Sequence, residues 1–296
     1  MRFIKSFFKM LGSCINYINT YFKTFVLLLL VLWLLNTSSN TPSSLANLQR
    51  IDLQGQINNV DKLIETINKA KDNEAIKGVL FVVDSPGGAF APSMELALAI
   101  KDLKSKKPVV AYASGTMASG SYLSAASANK IISNPASFIG SIGVIMQGAD
   151  LSELANKLGI KAQTIKAGTY KEAGTFTRKW SEEEKEYLQN LVEKSYDIFT
   201  HFVADERKLE FHQRQKWADA RVFLADQALE LGLIDELGNI QKAKLELQKL
   251  SGVKTAIWAK PDVVDKFMDK LSQQSSSFIA ELIDKILASS NSLQRF

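Results

Sequence analysis

The chain is poor in the side chains that most often mark a site. It holds one cysteine, Cys14, which excludes an internal disulfide framework. It holds two histidines, His201 and His212, and no Cys/His grouping at metal-ligand spacing, so neither a metal nor any other cofactor is expected. Charge of one sign is also lacking. The net charge of +5 comes from 36 basic and 31 acidic residues that are interleaved beyond the N-terminus, which argues against a dedicated nucleic-acid surface. No G-x-S-x-G elbow is present, so the α/β-hydrolase arrangement fails. S-x-x-K occurs at Ser6/Lys9, Ser127/Lys130 and Ser251/Lys254, but without the S-D-N or K-T-G partners that would give it meaning. No repeat recurs at a fixed period. The 46% hydrophobic and 23% charged content is that of a globular protein and excludes a disordered one.

What is present begins with an apolar run, TFVLLLLVLWLL, over residues 24–35, preceded by Arg2, Lys5, Lys9 and Lys23. Twelve residues are too few to cross a hydrocarbon core, which needs about twenty. Extension back to Ile15 gives that length and places Tyr17, Tyr21 and Trp33 toward the two interfaces. The positive charge before the run predicts a cytoplasmic N-terminus and an exported remainder, a single-pass protein of the cell membrane with its catalytic part outside the cytoplasm. A cleaved signal peptide is the competing reading; the long basic region and the absence of an A-x-A site weigh against it. The expected organisation is a stub and anchor over residues 1–35, a polar linker over 36–48, a folded domain over 49–255 and a helical extension over 256–296.

In the folded part, Val60, Leu63, Ile64 and Ile67 have helical spacing. The run GVLFVV over residues 78–83 reads as a parallel strand buried on both faces, ending in Asp84-Ser85-Pro86-Gly87-Gly88. A helix over residues 94–103 and a strand over 109–113 complete a strand–helix–strand unit. Short strands are expected at 130–132, 140–145 and 162–165. Ser181-Glu182-Glu183-Glu184 reads as a capping box opening a long helix, and residues 225–232 as a short one. Phe278, Ile279, Leu282, Ile283 and Ile286 form an apolar stripe near the C-terminus. The fold class is α/β, with a site expected past the C-terminal ends of the strands.

The stretch Gly115-Thr116-Met117-Ala118-Ser119-Gly120-Ser121-Tyr122 follows one such strand and opens into a small-residue helix. A side chain at that junction, Ser119, meets the free N–H groups of a helix start. Gly87-Gly88 follows the other strand directly, and its lack of Cβ atoms lets backbone N–H groups approach a ligand. If the two strands are neighbours, N–H groups of Gly88 and Gly120 can share one oxygen. A serine nucleophile needs a base, and neither histidine follows an apolar strand. That leaves a lysine, and Lys171 lies in the glycine-containing loop AGTYKEAGT over residues 167–175. Lysine serves as a base near neutral pH only when desolvated.

Taken together, SPGG (85–88), PVVA (108–111), MASGSY (117–122), GSIGVI (140–145), GTYK (168–171) and ALELGLID (228–235) resemble, in order, the signal peptide peptidase A family. These are exported serine proteases with a Ser/Lys dyad, and the likeness spans residues 51–253 in the short, single-copy form. The resemblance implies Ser119 as nucleophile, Lys171 as general base, Gly88 and Gly120 as oxyanion donors, and Ser141 as the serine that positions the lysine. It implies the crotonase/Clp-protease-like α/β spiral and a homo-oligomer in which each Lys171 completes a neighbour's site. Apolar extended peptides, released signal peptides among them, are the implied substrates. One departure is Ser121, where the family has a second glycine. Rival readings are a quality-control protease for membrane or envelope proteins, an inactive membrane scaffold, and a Clp-type subunit, for which the leader and the histidine placement are wrong.

Overall fold

The computed structural model describes residues 16–17, 20–30, 32 and 45–259. Residues 20–30 are helical with exposed side chains, but the rest of the expected anchor lies outside the described residues. Among the described residues, no helix is long and apolar enough to cross a membrane. The linker up to residue 44 and the apolar stripe at 278–287 also lie outside them.

Ala46–Trp258 forms one compact unit. Its strands are β1 (Leu48–Ile57), β2 (Gly78–Gly88), β3 (Val109–Ala118), β4 (Lys130–Ser133), β5 (Phe138–Gly140), β6 (Val222–Leu224) and β7 (Glu236–Leu237). They join in one sheet along the path β1-β2-β3-β4-β7, while β5 branches off β3 and carries β6 beside it. All pairings are parallel except β5 with β6. β2 shows why the run at 78–83 is continuously apolar: it lies between two parallel neighbours with both faces covered, and all six residues are buried. One face places Leu48, Leu80, Val82, Val110, Tyr112 and Ile132 against Ala243 and Leu247 of helix α8 (Ile240–Leu250). Val79, Phe81 and Val83 alternate to the other face. There the sheet contacts helices α1 (Asp61–Asp72), α2 (Phe90–Lys106) and α3 (Gly120–Ala125).

On the side away from β2, β3 serves two ladders. Val110–Ala113 pair with β4, whereas Thr116–Ala118 pair with β5. The strand expected at 140–145 is therefore shorter and earlier, ending at Gly140. From Ser141 the chain leaves the sheet, with Ser141 itself at a φ of 48°. The strand expected at 162–165 does not form: these residues carry no regular structure and are exposed, Ile165 completely. A segment becomes a strand only beside an edge that accepts its N–H and C=O groups, and none of the strands among the described residues pairs with this one.

Between β5 and the sheet's far edge run helices α4 (Ser152–Lys157), α5 (Glu182–Arg207), α6 (Arg214–Trp217) and α7 (Ala225–Glu230). The capping box that opens α5 is complete: Glu184 N–H donates to Ser181 Oγ at 3.2 Å, and Ser181 N–H to the Glu184 carboxylate at 2.9 Å. The other end of α5 is rooted in the body by Phe199, Thr200 and Val203, all buried. There the largely buried Arg207 donates to Asp235 at 2.8 and 3.0 Å and to the Gly232 carbonyl at 3.2 and 3.3 Å. Asp235 in turn accepts the Ile131 N–H at 2.6 Å, tying helix and sheet together. Arg207→Ala would remove the guanidinium from an Asp235 that is still partly open to solvent and should lower stability by about 1–3 kcal/mol. Arg214→Ala, at an exposed pair with Asp197, should cost about 0–1 kcal/mol. Urea unfolding midpoints of the two variants check the contrast.

Candidate active site at the strand–helix junction

The site is built on the join between β3 and α3. Ser119 occupies that join with φ 52° and ψ −124°, a left-handed conformation that costs a non-glycine residue about 1–3 kcal/mol. Its amide donates to the Gly140 carbonyl of β5 at 2.7 Å, and its carbonyl accepts the Leu123 N–H at 3.0 Å. Its hydroxyl does not cap the helix and remains free at the half-exposed mouth of the turn.

β2 and β3 are neighbours, so the loops past their ends meet. A Cβ on Gly87 would lie 2.7 Å from the Gly120 nitrogen, 2.8 Å from the Ala118 oxygen and 2.9 Å from the Ser119 Cβ. The Gly88 nitrogen lies 3.4 Å from where a Gly120 Cβ would sit. The structure thus brings Gly88, Ser119 and Gly120 together around one point. The Gly120 N–H, first in its helix, has no intrahelical acceptor. The Ser119 N–H is committed to Gly140, which leaves Gly88 and Gly120 as the amides able to face a bound oxygen. Ser141 follows Gly140 directly, and the Ala118–Gly140 register sets it beside Ser119.

Two residues that sequence reasoning passed over hold this turn. Ser121, which departs from the family's second glycine, is fully buried. Its hydroxyl accepts the Ala118 N–H at 2.8 Å and lies 2.7 Å from the Ser85 carbonyl, to which it donates, so it laces β2 to β3 beneath Ser119. Ser93 of α2 is packed so closely that a Gly120 Cβ would come within 2.1 Å of its hydroxyl. No local signal distinguishes these buried serines from solvated ones; only tertiary contact does.

Lys171 is not brought to Ser119 within one chain. It is exposed in a turn in which its N–H donates to the Gly168 carbonyl at 3.3 Å, and its amine has no partner among the described residues. Its neighbours, in contrast, are engaged. Tyr170 stacks on Tyr187 of α5, and Glu172 meets Arg178 and Lys166. Arg178 also grips Glu184 through both oxygens, at 2.7 and 2.8 Å. That hydrogen-bonding guanidinium, with the Ser181 amide, holds the Glu184 carboxyl down to about 2. The stability it contributes is fully present above the ordinary glutamate range and lost only as pH falls toward 2. His201 stacks on Phe211 at 3.8 Å and His212 is exposed on the same segment, neither engaged with the turn at Ser119. No group of three or more possible metal ligands is found among the described residues.

The model of Peptidase family S49 matches residues 101–254, which contain Ser119, Gly120, Ser141 and Lys171. A Methanocaldococcus jannaschii protein that carries the name of a protease is 39% identical over 68% of this chain and 63% of its own length. A second protein with a protease name, from Synechocystis, is 34% identical over 75% of this chain and 79% of its own. An Enterococcus faecium protein with the name signal peptide peptidase SppA is 35% identical over 64% of this chain and 56% of its own. The chain thus spans less than two thirds of the length of the archaeal and enterococcal relatives.

The turn makes a direct demand on Gly87, whose φ is +94°. Gly87→Ala should destabilise the protein by about 1–3 kcal/mol from backbone strain alone, read as a lowered urea midpoint.

Proposed function

Because the chain belongs to Peptidase family S49, the SppA family, we propose that it is a serine endopeptidase in which Ser119 is the nucleophile and Lys171 the general base. The observation that carries this reading is the left-handed Ser119 at the head of α3, its hydroxyl uncommitted, beside the amides of Gly88 and Gly120. In the reaction, the neutral Lys171 amine takes the Ser119 proton as Oγ bonds to the peptide carbonyl carbon. The oxyanion forms between the Gly88 and Gly120 N–H groups. The C–N bond then breaks, and the departing amine takes the proton from Lys171. Water attacks the acyl-enzyme with Lys171 again as base, and the ester C–O bond breaks to return the Ser119 hydroxyl with its proton. Ser141, beside Ser119, orients the amine.

The base comes from a second copy of the chain. Supporting this is the exposure of Lys171 on its own subunit, along with an unpartnered apolar surface that includes Ile145, Leu154, Leu158, Ile160, Ile165 and Phe176. The branched parallel sheet fits the crotonase/Clp-like spiral, whose members would stack such surfaces into a ring. Substrates are extended apolar peptides, released signal peptides among them, and the basic N-terminus with its apolar run tethers the domain to the outer side of the cell membrane.

Labelling by a fluorophosphonate probe and cleavage of a quenched apolar peptide test the reading. Ser119→Ala and Lys171→Ala should each abolish both without loss of folding, while His201→Ala and His212→Ala should leave rates within about threefold, the histidines lacking any place in the proton path. Mixing the two inactive variants should restore activity, because one supplies the serine and the other the lysine. Activity that survives Lys171→Ala but vanishes with a histidine overturns the dyad, and mixed variants that stay inactive overturn the shared site.

A further inference from the structure

Tyr170, Lys171 and Glu172 are consecutive, yet the protein treats them unequally. The Tyr170 ring stacks on Tyr187 with centroids 4.6 Å apart and planes 21° from parallel. The Glu172 carboxylate accepts from Thr164 Oγ1 at 3.0 Å, Lys166 Nζ at 3.1 Å and Arg178 Nη2 at 3.2 Å. Only the side chain between them is left unbound. Arg178 is the link that carries Glu172 to the helix. It binds both oxygens of Glu184, a buried carboxylate of the capping box at the first turn of α5. The following segment is fastened too, since the Trp180 indole N–H donates to the Thr175 carbonyl at 2.6 Å.

Apart from the Arg178–Glu184 pair, these ties add little stability, because partly exposed ion pairs and an exposed ring stack return little energy. As direction-setters they are effective, because they bracket a single residue. Gly168 and Gly174, both at positive φ, flank a turn that would otherwise sample many arrangements. A flat guanidinium held through two oxygens fixes orientation in a way a single ammonium does not.

We propose that Arg178 and Tyr187 are positioning residues for Lys171, clamping the residues on either side of it to the N-terminal turns of α5 so that the amine projects at one fixed place toward the serine of a second copy. The proposal rests on the reading of Ser119 and Lys171 as a dyad. Neither positioning residue touches substrate; each acts through the lysine, so removing either should slow proton removal from Ser119 and leave the docking of a small acylating reagent untouched.

The test uses the full chain and a rhodamine-tagged fluorophosphonate, separating the maximal labelling rate from the half-saturating concentration, with melting temperatures recorded for each variant. Arg178→Ala and Tyr187→Ala should lower the maximal rate about 10- to 100-fold while half-saturation moves less than about threefold, the signature of a displaced catalytic group. Tyr187→Phe, which keeps the ring, should recover the rate. Tyr187→Leu should not, nor should Arg178→Lys, which keeps the charge but loses the fork. A lowered melting temperature with an unchanged labelling rate shows a purely structural role and overturns the clamp. If Arg178→Ala does not fold, Tyr187→Ala at its partly exposed position decides alone. The underlying dyad fails differently: wild type that does not label, or Lys171→Ala that labels at the wild-type rate, overturns the reading of the site itself.

Discussion

A strained serine between two glycine-lined approaches is the constraint around which the rest of the domain is arranged. Ser119 can hold its left-handed conformation only because four neighbours leave it no alternative. The Gly140 carbonyl captures its amide, the Ser121 hydroxyl laces the preceding strand to β2, and Ser93 with Gly87 crowd the turn from either side. Each of these depends on β2 and β5 both lying beside β3, with the register shift between Val83 and Ser85 that sets Ser85 opposite Met117. The deep burial of β2, the branch in β3 and the shortness of β5 therefore belong to one arrangement. It places backbone strain at Ser119 and at Ser141 and distributes the support over three strands and two helices.

The candidate base is governed by the opposite principle. Among the described residues nothing buries Lys171, and order is imposed on its neighbours instead. A candidate nucleophile embedded in the sheet and a lysine carried on a helix-borne turn are two kinds of precision. One is fixed by packing, the other by a bracket of ion pairs and a ring stack. Such a division suits a site completed between subunits, where the embedded half needs a rigid floor and the presented half needs reach.

Much of this architecture was legible because the local pattern and the tertiary role agree. GVLFVV reads as a doubly covered strand and is one. Ser181 with Glu184 reads as a capping box and makes both of its hydrogen bonds. SPGG and MASGS mark the ends of adjacent strands, which is where the candidate site gathers. The failures have a shared cause. Residues 162–165 have strand chemistry but no edge to pair with, and residues 141–145 are drawn out of the sheet once Gly140 and Ser141 adopt positive φ. β1 escaped notice because its buried Leu48, Ile51 and Leu53 alternate with polar residues on an edge. Ser121, Ser93 and Arg207 look ordinary in sequence, and only three-dimensional contact reveals that the first two brace a turn and the third joins a helix to a sheet.

The length of α5 gives its attachment a mechanical meaning. At 26 residues the helix runs about 39 Å, from a root pinned by Arg207 and Asp235 to a tip that bears the lysine turn. A tilt of only about three degrees at the root would swing such a lever's tip by about 2 Å, more than the tolerance of a proton transfer. If Lys171 is the base, as proposed, its placement depends in part on a polar knot some seven turns away that touches neither peptide nor serine.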